Sequence, residues 1–197
     1  MVKNSSGIRS KIIKGALKCA SEARWKRVSL RMIAEEADIP LTEIYKYFPS
    51  KIAVVGALLE RSTDLIFSNN EPYSSTDSVH DRLLDNLLKR FDILEQDKQA
   101  IVSIVKDTKF DPLANLFLAP KLFDSMAQTL EKSGINSSGL VGMMRIKGIT
   151  VIYLMALNIW MYDNSPDLEK TMAFLDRRLK QAVNIASVLP LPIIEKR

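Results

Sequence analysis

The sequence contains very little of what most catalytic and metal sites are built from. Its 197 residues include one cysteine, one histidine and seven glycines. Cys19 has no cysteine partner, which excludes an internal disulfide, and its place on the apolar side of a helical pattern predicts a small core residue. His80 has no cysteine partners either, so no zinc site is expected. Because there is no phosphate-binding glycine loop and no acid pair at useful spacing, nothing nominates a catalytic centre, a cofactor or a metal.

Long apolar runs and strand patterns are also missing. The longest apolar stretch, residues 148–162, is shorter than the roughly 20 residues that span a bilayer. Three lysines, Lys11, Lys14 and Lys18, interrupt the first apolar run, unlike a secretory signal. We therefore expect a cytoplasmic protein without a membrane span. A content of 47% hydrophobic and 26% charged residues is ordinary for a soluble globular protein.

Residues 28–51 hold two short helical patterns that are separated by a tight turn. In the first pattern Ser29 stands where a hydroxyl caps the free N–H groups of the first turn. The apolar positions that share one face of this helix are Leu30, Ile33, Ala34 and Ala37. Asp38 ends the helix, because its short polar side chain tolerates the left-handed conformation of a tight turn.

The second pattern begins at Pro40, whose fixed φ suits the first position of a new helix. The apolar positions of this helix are Leu41, Ile44, Tyr45 and Phe48, and Pro49 closes it. Two helices joined by about four residues form a helix-turn-helix, whose second helix can enter the DNA major groove. Its exposed residues are expected to be Thr42, Glu43, Lys46 and Tyr47. The alternative is a generic helical hairpin within a bundle, with a surface that binds nothing.

The positive charge of the chain lies in the same segment. Residues 1–51 hold 11 Lys or Arg against 5 Asp or Glu, a balance of +6, whereas residues 52–197 hold 17 against 18, a balance of −1. A localised basic patch is what phosphate binding needs, because affinity comes mainly from neutralised phosphates and released counterions. Lys51, at the start of the next helix, is placed where its ammonium and free backbone N–H groups meet a phosphate together. The alternative is a solvated lysine-rich face, which the coincidence with the motif disfavours.

The motif resembles the N-terminal signature of TetR-type transcriptional repressors. That signature usually reads Thr, three residues, Ile-Ala, two residues, Ala-Gly-Val-Ser, four residues, Tyr, any residue, His or Tyr, Phe, two residues, Lys. The matching positions here are Ser29, Ile33, Ala34, Ala37, Asp38, Ile39, Pro40, Tyr45, Tyr47, Phe48 and Lys51. The resemblance covers about the first quarter of the chain and is specific in both order and spacing.

The resemblance implies which residues contact DNA. Ser29, Tyr47 and Lys51 take the places of phosphate-contacting residues, and Tyr45 is the family's usual tyrosine. The places that face bases or backbone are taken by Arg31, Leu41, Thr42 and Lys46.

The sequence departs from the family pattern in the turn and at the start of the recognition helix. Asp38 replaces the turn glycine, and Pro40 replaces the serine that caps the recognition helix. In addition, Glu43 points an acid toward DNA, which either reads a cytosine amino group or weakens binding. We include Pro40 and Glu43 in the expected DNA interface.

The remaining pattern predicts an all-α fold of about nine helices, with a three-helix head on a C-terminal helical bundle. We expect a loose arm at residues 1–7, a helix at 8–24, a hinge packed by Trp25 and Val28, and a loop at 69–77. The other expected helices lie near 50–68, 78–91, 100–110, 113–132, 140–162 and 168–188. Pro120 is expected to kink or break one of them, Gly134 to cap its end, and two prolines to mark a tail after residue 188.

The resemblance further implies a helix-turn-helix DNA-binding domain at residues 1–51 and a ligand-binding and dimerisation domain at 52–197. It implies a homodimer that binds a palindromic operator and is released by a small apolar or lipid-like effector. The helix at 140–162 is apolar nearly all round, which requires burial on more than one side. The candidate dimer-interface residues are Ile152, Ile159, Trp160, Leu168, Leu175 and Leu179. The candidate pocket residues, which are equally typical of plain core, are Phe91, Phe123, Met126, Met144 and Met155.

A second resemblance offers a different function. Residues 160–166, Thr171 and residues 174–179 resemble the end of the lipid-binding accessory protein of ubiquinone biosynthesis, which has a TetR-like fold but is not a repressor. The alternative to a DNA-binding transcriptional repressor is therefore a lipid- or isoprenoid-binding accessory protein in quinone metabolism. An enzyme is the weakest of the three interpretations.

Overall fold

The computed structural model of the protein describes the backbone of residues 2–68 and 77–188. It describes the side chains of residues 7–68 and 77–182. Its α-helices are α1 Val2–Glu22, α2 Leu30–Glu36, α3 Leu41–Tyr47, α4 Lys51–Ser68, α5 Val79–Glu95, α6 Lys98–Thr108, α7 Pro112–Lys132, α8 Gly139–Trp160 and α9 Glu169–Val188. Single 3-10 turns lie at Trp25–Arg27 and Pro166–Leu168. The regular structure in these ranges is entirely helical, which confirms the all-α prediction.

The structure corrects several predicted boundaries. α1 begins at Val2 rather than after a loose arm, because no helix breaker other than Gly7 precedes its apolar stripe. α7 continues through Pro120, since Pro120 and Leu116 are both exposed and the Leu116 carbonyl that loses its donor can bond to water. The predicted proline tail and residues 69–76 of the predicted loop lie outside the described residues.

α8 is longer than the apolar stretch suggested. Its 22 residues, Gly139–Trp160, are long and apolar enough to cross a membrane by length and composition, so the sequence estimate based on residues 148–162 was wrong. Core helices of soluble proteins pass the same test. α8 has one buried side, which includes Ile149, Tyr153 and Trp160, and the burial of a second side stays a prediction.

The chain forms two compact units. The first comprises Met1–Ser62 with Leu94–Lys121, and the second comprises Thr63–Ile93 with Leu122–Arg197. In the first unit α1 packs on α2 and α6. The buried α1 residues are Ile12, Ile13, Ala16, Leu17, Cys19 and Ala20, so the core assignment of Cys19 is confirmed. The functional boundary between residues 51 and 52 stays a prediction.

The core of the second unit is built on aromatic contacts. The ring of Phe91 on α5 lies 5.3 Å from that of Tyr153 and 5.9 Å from that of Trp160, both on α8. α8 also packs against α9, which buries Leu175 and Leu179. Gly134 ends α7 with a φ of 85°, and the N–H of Ile135 bonds to the carbonyl of Leu130 at 2.9 Å, which confirms the predicted cap.

A buried carboxylate holds the turn between α8 and α9. Asp163 is 1% exposed and accepts hydrogen bonds from the N–H of Thr171 at 2.9 Å, its hydroxyl at 2.8 Å, the N–H of Ser165 at 3.1 Å and the Ser165 hydroxyl. Burial by itself raises the pKa of Asp163, but the bonds from Ser165 and Thr171 outweigh it and hold the pKa well below its usual range. The turn therefore depends on the charged form of Asp163.

We expect Asp163→Asn to lower the free energy of unfolding by about 1–3 kcal/mol at pH 7, because an amide cannot accept all four bonds. The folded-state pKa is lowered, so this stabilisation is present above the unfolded pKa of roughly 4 and is lost as the pH falls through the folded pKa. Urea unfolding at pH 7 and below pH 4 measures the difference. Asp167→Asn is the matched control, since Asp167 is exposed in the same turn and Asn tolerates its φ of 51°. Equal losses in the two variants would contradict the role of Asp163.

Candidate nucleic-acid interface

The turn between α2 and α3 forms as the sequence predicts. The Ser29 hydroxyl accepts a hydrogen bond from the N–H of Met32 at 3.2 Å and caps α2. Asp38 has a φ of 51°, and the N–H of Ile39 then bonds to the carbonyl of Ala34 at 3.0 Å. Local capping and turn chemistry therefore fix where α2 ends and in which direction the chain leaves it.

Pro40 has a different position from the one predicted. It is the N-cap residue of α3, with φ −57° and ψ 139°, rather than the first residue of the helix. It provides no side-chain cap, but its carbonyl accepts the N–H of Glu43 at 2.8 Å and of Ile44 at 3.3 Å. α3 therefore begins at Leu41 although the capping serine of the family pattern is absent.

α3 is anchored by two side chains and exposes the others to different degrees. Ile44 and Phe48 are 0% and 2% exposed, whereas Tyr45 is 55% exposed. The prediction that Tyr45 lies on the inner face was wrong, because one residue turns the helix by about 100° and moves Tyr45 off the face of Ile44. Its exposure agrees with its place in the expected DNA interface. The other interface residues on α2 and α3 that are exposed are Arg31, Thr42 and Lys46, and the half-buried ones are Leu41, Glu43 and Tyr47.

The Glu43 carboxylate is paired with a lysine on the same helix. It accepts a hydrogen bond from the Lys46 ammonium at 2.6 Å, one turn further along α3. This hydrogen bond and the charge of Glu43 raise the pKa of Lys46 above its ordinary value. In the free protein the two charges therefore largely cancel on the outer face of α3.

Lys51 is engaged inside the protein, in contrast to its predicted place at a phosphate. Its ammonium donates to the carbonyl of Trp25 at 2.7 Å and to that of Val28 at 2.9 Å, and lies 4.9 Å from the centre of the Trp25 ring. Two of its three N–H donors are thus taken. Burial lowers the pKa of Lys51, and the Asp107 carboxylate partly offsets this. Lys51 serves mainly to hold the segment between α1 and α2.

The same segment is tied to α6 by contacts that the sequence did not suggest. The N–H of Trp25 donates to the Ser103 hydroxyl at 2.9 Å, and that hydroxyl donates to the carbonyl of Ala23 at 3.1 Å. The Asp107 carboxylate accepts from the N–H of Lys26 at 2.7 Å and from the Arg24 guanidinium at 2.8 Å. No local pattern signals these contacts, because they join residues about 80 positions apart.

The predicted effector-binding residues do not share one environment. Phe91 and Met126 are fully buried in the core of the second unit. Phe123, Met144 and Met155 are 37%, 57% and 43% exposed, which does not fit the lining of an enclosed pocket. Met and aromatic residues recur on both faces of α7 and α8, so composition alone could not separate the two groups.

Most of the predicted dimer residues belong to the core of the subunit. Trp160, Leu168, Leu175 and Leu179 are between 0% and 7% exposed, so they are already covered by their own chain and were assigned wrongly. Ile152 and Ile159 are partly exposed. The apolar residues of α8 that are exposed lie on another face of the helix. We define the α8 stripe as Leu140, Met144, Val151, Leu154 and Met155, which are 43–71% exposed. Met144 follows Leu140 by 4 residues, Val151 follows Met144 by 7, and Leu154 and Met155 follow Val151 by 3 and 4, so all five share one face of the helix.

We expect Lys51→Ala to lower the free energy of unfolding by about 1–3 kcal/mol, because two buried carbonyls lose a charged donor. Lys46→Ala is the matched control and should change it by less than about 0.5 kcal/mol, since Lys46 is exposed and bonds only to its neighbour Glu43. Thermal and urea unfolding of both variants measure this. A Lys51→Ala protein as stable as wild type would contradict the internal role of Lys51.

Comparison with known proteins gives two matches to family models. Residues 12–58 match the model of the bacterial regulatory proteins of the tetR family. Residues 147–186 match the model of the COQ9 family. The second match includes Trp160, Asp163 and Thr171, each at most 1% exposed, so it covers residues that hold α8 to α9.

Two curated relatives are similar to the N-terminal part of the chain. The HTH-type transcriptional repressor KstR of Rhodococcus jostii is 33% identical over 63 residues, which is 32% of this chain and 30% of that protein. KstR of Mycolicibacterium smegmatis is 34% identical over 58 residues, 29% of this chain and 28% of that protein. The chain thus spans less than a third of the length of these relatives.

Solved structures match over nearly the whole chain. A TetR transcriptional regulator from Nitrosomonas europaea has a TM-score of 0.72 at 21% identity and covers 89% of this chain and 97% of its own. One from Rhodococcus sp. RHA1 has a TM-score of 0.69 at 17% identity and covers 92% and 98%. At these identities the likeness shows the fold alone. The chain therefore resembles the TetR-type transcriptional regulators in the sequence of its N-terminal quarter and in its fold.

Proposed function

We propose that this protein is a TetR-type transcriptional repressor that binds a palindromic DNA operator as a homodimer and is released by a small effector. The observation that carries the proposal is α3, a short helix fixed by Ile44 and Phe48 that exposes Thr42, Tyr45 and Lys46. It lies within the segment that matches the family model. A helix held from one side and polar on the other is what entry into a major groove requires.

The roles of the interface residues follow from their positions. We propose that Ser29 and Tyr47 contact phosphates, and that Thr42 and Tyr45 meet base edges or the sugar-phosphate backbone. Arg31 and Leu41 flank them, and Pro40 sets the start of α3. When DNA binds, the ammonium of Lys46 leaves the Glu43 carboxylate and binds a phosphate instead. The Glu43 carboxylate can then accept a hydrogen bond from a cytosine amino group. Lys51 supports the interface by holding the segment that precedes Ser29.

We propose that the α8 stripe is the centre of the dimer interface. A row of apolar side chains that are 43–71% exposed is costly on a monomer, and a second copy of α8 offers a matching row under two-fold symmetry. A dimer would also explain how a palindromic operator is recognised. Two α3 helices about 34 Å apart can enter successive major grooves on one side of the duplex.

The alternative, a lipid-binding accessory protein in quinone metabolism, has less support. The C-terminal similarity lies on residues whose contacts are structural, such as Asp163 with Ser165 and Thr171. These contacts give the similarity a structural explanation that does not require a shared ligand. A DNA target also agrees with a cytoplasmic protein that is not an enzyme.

DNA binding is tested by pulling down genomic fragments with the purified protein, sequencing them, and titrating the enriched operator by fluorescence anisotropy. Affinity should fall steeply with salt, by about 0.9 in log K per unit log of salt for each neutralised phosphate. Tyr45→Ala and Lys46→Ala should each weaken operator binding about tenfold or more at unchanged melting temperature. Lys180→Ala is the control, because Lys180 is also exposed and also paired within its helix, with Asp176. If no fragment binds at low salt and the protein carries a co-purified lipid, the alternative function is correct.

The dimer is tested with Val151→Asp, which places a charge in the middle of the α8 stripe. We expect this variant to be monomeric by light scattering and to lose most operator affinity, because a buried unpaired carboxylate disrupts an apolar interface. Leu113→Asp is the control, since Leu113 is a 76% exposed leucine on α7. It should remain dimeric. A monomeric wild type, or a dimeric Val151→Asp variant, would contradict this interface.

A further inference from the structure

A buried arginine without a counterion lies in the second unit. Arg90, on the inner face of α5, is 2% exposed. Its Nη2 donates to the carbonyl of Ser125 at 3.1 Å and to the Thr129 hydroxyl at 2.8 Å, both on α7. Its Nε has no hydrogen-bond acceptor, and no carboxylate pairs with it, within the described part of the chain.

The surroundings of Arg90 do not compensate its charge. Its ionisable neighbour is Tyr153, which is itself buried, and burial raises the pKa of that phenol so that it is neutral at physiological pH. Burial also lowers the pKa of Arg90, with Tyr153 opposing it, yet a guanidinium remains protonated in proteins. The result is a positive charge inside an otherwise apolar and hydroxyl-bearing region, which is unfavourable unless an anion joins it.

The structure around Arg90 does not require the arginine. The Thr129 hydroxyl donates to the carbonyl of Ser125 at 2.9 Å, so these two groups satisfy each other without Arg90. The neighbouring Ser125 and Thr63 hydroxyls also bond to each other at 2.7 Å. Removing the guanidinium therefore leaves no buried acceptor without a donor among these groups.

We infer that Arg90 is the recognition group for an anionic ligand, and that this ligand is a monocarboxylic acid with an apolar body. A single guanidinium with a free N–H matches one carboxylate, since the pair forms short charge-assisted hydrogen bonds. The Thr129 hydroxyl, which accepts from Nη2, can donate to a ligand by giving up its bond to the carbonyl of Ser125. Leu87, Phe91 and Met126 are buried on the same helices, so a ligand that reaches Arg90 meets apolar side chains, which favour an apolar body over a hydrated phosphate.

The identification of this acid as the effector rests on the proposed function, but its binding does not. When the acid binds, the unfavourable isolated charge becomes an ion pair between α5 and α7. The gain in free energy is available to stabilise one arrangement of these helices over another. The sequence carried a signal for this site, because Asn86 and Arg90 interrupt an inner face that is otherwise built from Leu83, Leu87 and Phe91.

The test uses the full-length protein with octanoate, dodecanoate and benzoate, and with 1-octanol, 1-dodecanol and benzyl alcohol as neutral counterparts. We expect saturable calorimetric binding and a rise in melting temperature for at least one acid and for none of the alcohols. Arg90→Met should weaken that acid about 10- to 100-fold, without lowering the melting temperature of the ligand-free protein. If the Met variant does not fold, Arg90→Gln, which keeps hydrogen-bonding capacity but no charge, is used instead and should show the same loss of acid affinity.

Asn86→Ala is the matched control, since Asn86 is equally buried one turn earlier on α5 and bonds to the Ser133 hydroxyl on α7 at 2.9 Å. It should lower stability but retain the acid affinity. Three results would overturn the inference: no saturable binding of any acid, equal affinity for the alcohols, or unchanged affinity in the arginine variants. Operator binding is measured separately without acid. Acid binding together with absent operator binding would refute only the repressor function.

Discussion

The arrangement of the N-terminal three-helix head depends on how one tryptophan turn is held. Trp25 is buried, its N–H bonds to Ser103, and its carbonyl and ring both contact the Lys51 ammonium. Four helices meet here, because α1 ends before this turn, α2 starts after it, α4 supplies Lys51 and α6 supplies Ser103. The positions of α2 and α3 therefore depend on a partly buried hydrogen-bond cluster that joins α4 and α6 to the segment before Ser29.

Local rules predicted the head well and tertiary contacts poorly. The Ser29 cap and the left-handed Asp38 depend on neighbours within a few residues, so capping and turn chemistry were enough to locate them. The internal contacts of Lys51 were missed, because its position at a helix start gave no sign that two distant carbonyls would bind it, and its phosphate contact stays a prediction. In α8 and α9 the sequence recognised apolar helices but not which apolar face points inward. Trp160 and Leu175 were taken for interface residues for that reason.

The two family matches cover residues with different structural environments. The N-terminal match includes side chains that remain exposed after folding, such as Tyr45, and an exposed residue in a fixed pattern has no packing reason to be there. The C-terminal match includes Asp163 and Thr171, whose hydrogen bonds explain them completely as parts of a turn. The N-terminal similarity thus includes exposed side chains, and the C-terminal similarity includes buried ones that hold a turn.

The hydrogen bonds to Ser103 and Asp107 also determine when the N-terminal helices can finish folding during synthesis. They close loops of about 80 residues, so the tryptophan turn cannot be completed until α6 has been made. A nascent chain that ends at residue 51 leaves the Trp25 N–H unsatisfied and the α6-facing side of α1 uncovered. The order of α1, α2 and α3 is in this way coupled to translation of the middle of the chain, and a product truncated before α6 would lack the contacts that hold the tryptophan turn.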